Sequence, residues 1–380
     1  MEFGWSEEDT AFRKELRAFI EAELDERWTG PVRHLGSPEN VANAKDFNRK
    51  LAERGWLTPH WPVEYGGHAA TPWQHIILGE ELWSVGEPRG PQYMNVNWIG
   101  PSILAHGSDE QRRELLPPIA RGEVVWCQGF SEPDAGSDLA SLRTSARLDG
   151  DEYVVSGQKS WTSYASVADY CYLLVRTDQA APRHKGISVL LVPTDTEGFV
   201  ISEVPSMVGE HAFHDLFFDE MRVPASTLLG PENEGWAVVR GALSYERVGA
   251  PRYARALVVL ADALRWVHDH GVELSEPVHE RVDQARAACE AARMLAYRVI
   301  DQRASNLPPS ATSNLARAAM VHAERLVGNL VFEMLGADAL RHGSLADESF
   351  RKSLAAGIAA GSYEMQLNLV ASQLLGLPKV

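Results

Sequence analysis

DYCYLLVRT (residues 169–177) and GISVLLVP (186–193) decide the fold class. Each is a short run of β-branched, aromatic and aliphatic residues bounded by Asp, Gly or Pro, which is strand chemistry. YVVSG (153–157), GFVIS (198–202) and LFFDEMRVP (216–224) share that texture, so an all-β stretch is expected from near Glu123 to about residue 230. On either side the period becomes helical. Ser6 precedes EEDTAFRKELRAFIEAEL, a helix start with acidic residues in its first turn, and Phe12, Leu16, Phe19, Ile20 and Leu24 follow at helical spacing. WPVEYGGHAATPW (61–73) reads as a loop, and Asp109 opens a second helix, DEQRRELLPPIARG. From Glu234 the helical period returns, with breaks at Gly271, Pro308–Pro309 and between Gly336 and Gly343. Helices, strands and helices in separate blocks predict an α+β chain. The expected domains are an N-terminal helical domain (1–122), a middle β-domain (123–232) and a C-terminal helical domain (233–380).

At 380 residues the chain can bury a large core without covalent staples. Its 36 Lys and Arg stand against 52 Asp and Glu, a net charge of −16, which repels phosphate backbones and anionic lipid. Nucleic acid and membrane surfaces are therefore excluded as main partners, although one local basic pocket for a phosphorylated substrate is compatible with that charge. Cys127, Cys171 and Cys289 lie far apart with no CxxC, so neither a zinc site nor a disulfide framework is suggested. MEFGWSEEDT has no basic or apolar leader pattern, and no run of about 18 apolar residues occurs. The expectation is a soluble, cytoplasmic chain in a reducing compartment. No GxGxxG follows a strand, and GxxxxGK[ST] and GxSxG do not occur. His211, His214 and Asp215, like His268 and His270, lack a third ligand at motif spacing, so no metal is expected.

Three segments carry the chemistry. WCQGFSEPDAGSDLASL (126–142) packs small and hydroxyl residues into a segment expected between helix and strand. Its backbone N–H groups and hydroxyls either hold phosphate or a polar heterocycle, or simply make a structural turn. GQKSWTSYASVADYCYLLV (157–175) places Trp161 at the expected start of a strand beside Thr162 and Ser163. The indole is either core or the wall for a flat aromatic cofactor. Glu246 lies in ENEGWAVVRGALSYERVGAPRYARAL, and its helix-face neighbours are Val239, Ala242, Leu243, Gly249, Ala250 and Tyr253. A carboxylate on such a stripe is desolvated, which raises its pKa and suits a general base. The other reading is a Glu paired with an Arg of a neighbouring helix. Pro251 predicts a kink just after Glu246.

In this order, the three segments resemble the acyl-CoA dehydrogenase family along the whole chain. GFSEPDAGSDLASL is similar to its first signature, and GQKSWTS to its Gly-x-Lys-x-Trp-Ile-Thr. WPVEYGG, AHGSDEQRRELLPPIARGE, FFDEMRVP and the terminal Glu-x-Gln helix with LLGLP also fit. The resemblance implies an N-terminal helical domain, a middle β-barrel-like domain and a C-terminal four-helix bundle. FAD would lie between the last two and be completed by a second subunit. By position, Gln128, Phe130 and Ser131 match flavin-ring contacts, and Gly136 and Ser137 match the turn near the pyrophosphates of FAD and CoA. Trp161 matches the Trp flanking the isoalloxazine, and Ser163 the hydroxyl that reaches flavin N5. Ser362 and Glu364 match FAD contacts of the terminal motif. Glu333 and Gly336 match the QxLGG segment that reaches the neighbouring subunit's cofactor.

Many members carry their base just before the terminal motif. Here the run is AAGSYEMQ (359–366), with Ala360 at the base position. A minority subgroup carries its Glu in a Glu-Arg pair on the first long C-terminal helix, and Glu246–Arg247 matches that pair, with Arg247 toward the substrate. The implied reaction removes two hydrogens from an acyl thioester. Glu246 takes the α-proton, hydride passes to flavin N5, and the Ala360 N–H holds the thioester oxygen. An electron-transferring flavoprotein would then be the acceptor, in lipid metabolism. Neither Arg-x-x-Phe-Gly nor its downstream Gln is recognisable in HDHGVELSEPVHERVDQ (268–284), which leaves the cross-subunit FAD contacts unassigned. The wording resembles actinobacterial members acting on steroid side chains or other bulky acyl groups. The expected assembly is a homodimer or homotetramer, or a heterotetramer of two chains. The alternatives are a same-fold dehydrogenase or oxidase on a carrier-bound acyl group, and a non-catalytic partner subunit.

Overall fold

The computed structural model describes residues 4–25, 28, 37–241, 250–359 and 361–378. Along the chain, the helices α1 (Glu7–Glu23), α2 (Pro38–Glu53), α3 (Pro72–Ser84), α4 (Gly100–His106) and α5 (Asp109–Ala120) precede the strands. The strands are β1 (Trp126–Gly129), β2 (Ser145–Asp149), β3 (Glu152–Ser163), β4 (Tyr170–Arg176), β5 (Ile187–Pro193), β6 (Phe199–Ser206), β7 (Gly209–Pro224) and β8 (Leu228–Leu229). After them come α6 (Arg252–Asp269), α7 (Glu276–Ala304), α8 (Thr312–Leu335), α9 (Leu345–Ala355) and α10 (Tyr363–Gln373). Helices, then strands, then helices is the α+β order the sequence predicts.

The helix starts follow from their caps. The Ser6 hydroxyl accepts from Asp9 N at 3.0 Å, while Leu16, Phe19 and Ile20 of α1 are buried. Ser108 and Gln111 form a reciprocal capping box at the head of α5, which satisfies two donors that the helix itself cannot.

The chain folds into two compact units. One comprises Met1–Arg33, Ala70–Pro88 and Glu246–Val380, and the other His34–Ala69 and Arg89–Tyr245. The first has a helical core drawn from α6, α7 and α8, among them Ala256, Leu260, Ala285, Cys289, Ala292, Met320 and Val327. Runs of alanine let these helices approach closely. Glu80 of α3 is buried in the same unit and accepts from Arg13, Tyr253 and Tyr297.

The second unit holds one sheet in the order β6-β7-β3-β2-β4-β5-β8, with β1 pairing parallel to β4. Its core includes Val155, Leu173, Val175, Leu190, Val192, Leu216 and Phe218. The β4–β5 pair is buried nearly throughout, which explains why 169–177 and 186–193 read as unbroken apolar runs.

Three local expectations are corrected. Residues 126–129 are strand β1, so the 126–142 segment is not wholly a connection between helix and strand. Trp161 lies near the end of β3 rather than at a strand's start. The C-terminal helices restart at Pro251, instead of bending there. Residues 235–241 are helical, Ala250 and Pro251 are not, and Pro251 is the N-cap of α6. A proline has no N–H to donate and disfavours helix in the residue before it, so at a first turn it begins a helix.

Candidate functional site

The first signature and the Trp161 strand are joined by a buried polar cluster. Lys159 on β3 is fully buried, and its Nζ donates to Phe130 O at 3.0 Å and to Glu132 Oε1 at 2.9 Å. The Glu132 carboxylate also accepts from the backbone N–H of Arg143 at 2.7 Å and of Thr144 at 2.8 Å. Ser160 N donates to Ser131 O at 2.8 Å. Burial is the largest influence on both charges. It lowers the Lys159 ammonium to about 8 even beside Glu132. Burial would raise Glu132, but the Lys159 charge and the Thr144 bonds outweigh it and hold the carboxyl below its ordinary value. A buried ion pair with its lone pairs satisfied fixes geometry, whatever its net contribution to stability.

Arg176 on β4 anchors the far end of the loop. Its guanidinium donates to Ala140 O (2.7 Å), Leu142 O (3.2 Å), Lys185 O (2.8 Å) and Arg183 O (3.2 Å). Asp138 pairs with Arg183. Held at both ends, the loop leaves Gly136 and Ser137 exposed, and a Cβ added at Gly136 would meet nothing within 4 Å.

Beside the loop, β3 carries one extra residue against β7. Lys159 pairs with Leu216 and Thr162 with His214, so three steps on β3 face two on β7. This bulge holds Trp161 at φ +60°, a left-handed conformation that is costly for a residue with a side chain. The indole is 58% exposed and touches the Phe213 ring edge-on, with centroids 5.8 Å apart at 80°. Ser163 follows, half-buried, and Gln128, Phe130 and Ser131 are also half-buried. The Phe130 ring lies 5.7 Å from Tyr172. The structure thus brings Gln128, Phe130, Ser131, Gly136, Ser137, Trp161 and Ser163 onto one braced framework within one unit.

The remaining residues lie in the other unit. Ser362 is the N-cap of α10 and accepts from Met365 N at 3.3 Å; Glu364 is exposed in the first turn. The turn ahead of it is held from α8. Arg317 donates to Ala356 O (2.8 Å) and Ala359 O (3.1 Å), while Asn314 donates to Gln366 Oε1 at 2.7 Å. Gly361 sits at φ +82°, where the Nε2 of Gln366 would lie 2.6 Å from any Cβ. The Glu333 carboxylate takes a two-pronged bond from Arg281 at 2.5 and 2.6 Å, and that bond lowers its pKa. Gly336 ends α8 at φ +52°. Glu246, Arg247 and Ala360 lie outside the described residues; Val239, Ala250 and Tyr253, three of the expected face neighbours of Glu246, are buried.

Glu132, Lys159 and Arg176 are positioning residues that the sequence reading does not single out. A signal is present for one of them: Arg176 closes the apolar run YCYLLV (170–175), where a charge has to find a partner. An exposed indole in a strained bulge, a hydroxyl two residues on, and an open loop of backbone donors together suit a flat heteroaromatic ring with a phosphate tail. The side chains and loop therefore fit a flavin nucleotide.

Comparison with known proteins bears on the same segments. The acyl-CoA dehydrogenase N-terminal domain matches residues 6–123, the middle domain 127–221 and the C-terminal domain 233–375. Acyl-CoA dehydrogenase IpdE1 of Mycobacterium tuberculosis is 31% identical over 385 residues, covering 97% of each chain. Acyl-CoA dehydrogenase FadE26 of the same organism is 32% identical over 400 residues, covering 100% of this chain and 99% of its own. Among solved structures, the Tcur3481-Tcur3483 steroid ACAD superposes with TM-score 0.91 at 31% identity over the full length of both chains. The ChsE4-ChsE5 complex from Mycobacterium tuberculosis gives 0.87 at 31%, also over the full length of both.

Proposed function

Because this chain belongs to the acyl-CoA dehydrogenase family and is an FAD-dependent oxidoreductase acting on acyl-CoA, we propose that it forms the α,β-double bond of a bulky acyl thioester, with Glu246 as the base. The observation that carries the reading is the braced framework of Trp161, Ser163 and the open loop at Gly136–Ser137. It presents an exposed indole, a hydroxyl and an exposed backbone turn together.

FAD, when bound, supplies the hydride acceptor. The other roles belong to the chain. Trp161 covers the ring and excludes water, and Ser163 offers it a hydroxyl. Gln128, Phe130 and Ser131 line the ring's edge. Gly136 and Ser137 hold pyrophosphate, with Ser137 also toward the thioester's nucleotide end. Ser362, Glu364, Glu333 and Gly336 complete the cofactor set, and Arg247 contacts substrate. Glu246 takes the α-proton, whose loss leaves an enolate. The Ala360 N–H donates to the thioester oxygen, and a backbone donor keeps that role whatever the side chain. This explains how the terminal motif can lack a carboxylate at 360 while the oxyanion site remains.

Two relatives supply the finer proposals. One solved structure is described as a steroid ACAD, and it and the ChsE4-ChsE5 complex each name two chains. We take a steroid-like or similarly bulky acyl group as the substrate class, two or more chains as the assembly, and an electron-transferring flavoprotein as acceptor. The domains 1–122, 123–232 and 233–380 are the corresponding division.

The test of this reading is Glu246→Gln, assayed with a panel of acyl-CoA thioesters and an artificial electron acceptor. The variant keeps the side-chain shape but cannot accept a proton. It should still bind FAD and an enoyl thioester, and flavin reduction should slow by about 10²–10⁴, the range of a positioned general base. Near wild-type flavin reduction would move the base elsewhere, with Glu364 the first candidate.

A further inference from the structure

The bulge that presents Trp161 rests on a histidine that the proposed reaction does not use. His214 of β7 is 1% exposed and pairs in register with Thr162. Its Nδ1 lies 3.2 Å from Thr162 O. A carbonyl only accepts, so Nδ1 carries the proton and Nε2 keeps its lone pair. Burial is the largest influence on this imidazole and holds its pKa below the ordinary value, which keeps the ring neutral. Nε2 of His214 and Oγ1 of Thr162 are both buried and, among the described residues, have no hydrogen-bond partner. Such groups are costly and are retained where they serve a purpose.

We infer that His214 is a positioning residue for the cofactor framework: by donating from Nδ1 to the Thr162 carbonyl, it holds the Trp161–Ser163 bulge in the conformation that turns the indole outward. The constraint is mechanical. Trp161 is left-handed, and a non-glycine residue leaves that region unless its neighbours prevent it. On the N-terminal side the bulge is fixed by Ser160 N to Ser131 O. On the C-terminal side the Thr162 carbonyl is fixed by His214, whose chain neighbour Phe213 touches the indole. Removing the ring donor leaves the peptide plane between Thr162 and Ser163 to the strand pairing alone, Thr162 with His214 and Ser163 with Phe213, and so loosens the directions of the indole and the Ser163 hydroxyl.

This rests on the flavin reading only for what the bulge presents to. The experiment therefore has two arms on the full chain. His214→Phe keeps a ring in the slot and removes the donor, with His214→Leu as a smaller replacement if the phenyl ring does not fold. His214→Asn restores a donor in the Nδ1 position. The first arm reads the 19F resonance of 5-fluorotryptophan at Trp161, assigned by its loss in Trp161→Phe. It should shift in His214→Phe and return in His214→Asn. The second arm measures FAD affinity, which should weaken about tenfold in His214→Phe, the scale of one hydrogen bond, and recover to within about twofold in His214→Asn. An unmoved Trp161 resonance in the donor-less variant overturns the proposal. So does an Asn variant as perturbed as the Phe variant, since bulk rather than the donor would then be responsible. Wild-type chain that takes up no FAD would sink the flavin reading alone, and the fluorine arm then decides this proposal by itself.

Discussion

At the residue scale, Lys159 shows what the bracing pair does. Lys159→Met keeps much of the volume and leaves the Glu132 carboxylate buried beside two backbone donors but without its cation. Removing one partner of a buried pair costs about 3–5 kcal/mol, because the survivor's charge is uncompensated. An unfolding free energy lowered by that amount, read from a urea titration as a lower midpoint, is expected, and Glu132→Gln in the Lys159→Met background should recover part of it. An unchanged midpoint would mean the pair is indifferent. The pair also sets an acid limit. Burial opposes the Glu132 charge, but Lys159 and the Thr144 N–H outweigh it, so its folded pKa lies below the unfolded value. Its contribution to stability is then full above the ordinary 4.5 of a glutamate and is lost as pH falls through the folded value. Trp161 has a different role, since its exposed indole contributes little to the core. Trp161→Ala should fold normally, yet retain FAD more weakly and let the reduced flavin react faster with oxygen, because a water-excluding wall is gone. Unchanged flavin fluorescence and unchanged oxygen consumption in the variant would remove Trp161 from that role.

At the element scale, β3 is shaped by a glycine as much as by its apolar residues. Gly157 has φ +147°, and a Cβ there would lie 2.7 Å from both Cα and Oγ1 of Thr144. Gly157→Ala therefore meets backbone as well as an unfavourable φ. A loss of about 2–3 kcal/mol is expected from strain of this kind, read as a lower denaturation midpoint. A midpoint within error of wild type would mean that Thr144, just ahead of β2, can move aside freely. Most of this element is legible in the sequence. The runs 153–157, 169–177, 186–193 and 216–224 become β3, β4, β5 and β7 because their side chains fill one core, and core filling is what a run of β-branched residues records. The bulge at Trp161 is not legible, because it depends on the register against β7, which lies over 50 residues away. The parallel partnership of β1 with β4 is equally hidden, since WCQG carries no sign of which strand it joins. Pro251 reads as a kink because a helical stripe continues across it, but the stripe cannot say whether the backbone stays helical. The Arg281–Glu333 bond joins two exposed residues on different helices, and exposed charges pair in too many ways for sequence to choose.

At the scale of the whole molecule, the terminal helix bears on assembly. Among its described residues α10 buries only Gln366, while Met365 and Leu367 are exposed, as are Leu374, Leu375 and Leu377 just beyond it. On a chain carrying a net charge of −16, such an apolar run is out of keeping with a surface left to water. The proposed cofactor residues are also split along the chain between 128–163 and 333–364. We expect the flavin-loaded protein to contain at least two chains, either copies of this one or this chain with a related partner. Light scattering coupled to gel filtration should then give a mass of at least twice 42.0 kDa for the species absorbing at flavin wavelengths. Replacing Leu374 and Leu375 with Lys should shift that mass toward one chain and release flavin in parallel, since two like charges in a covered apolar surface prevent association. A flavin-loaded species at the mass of a single chain would overturn the assembly, and a double variant that keeps both its mass and its flavin would show that some other surface holds the chains together.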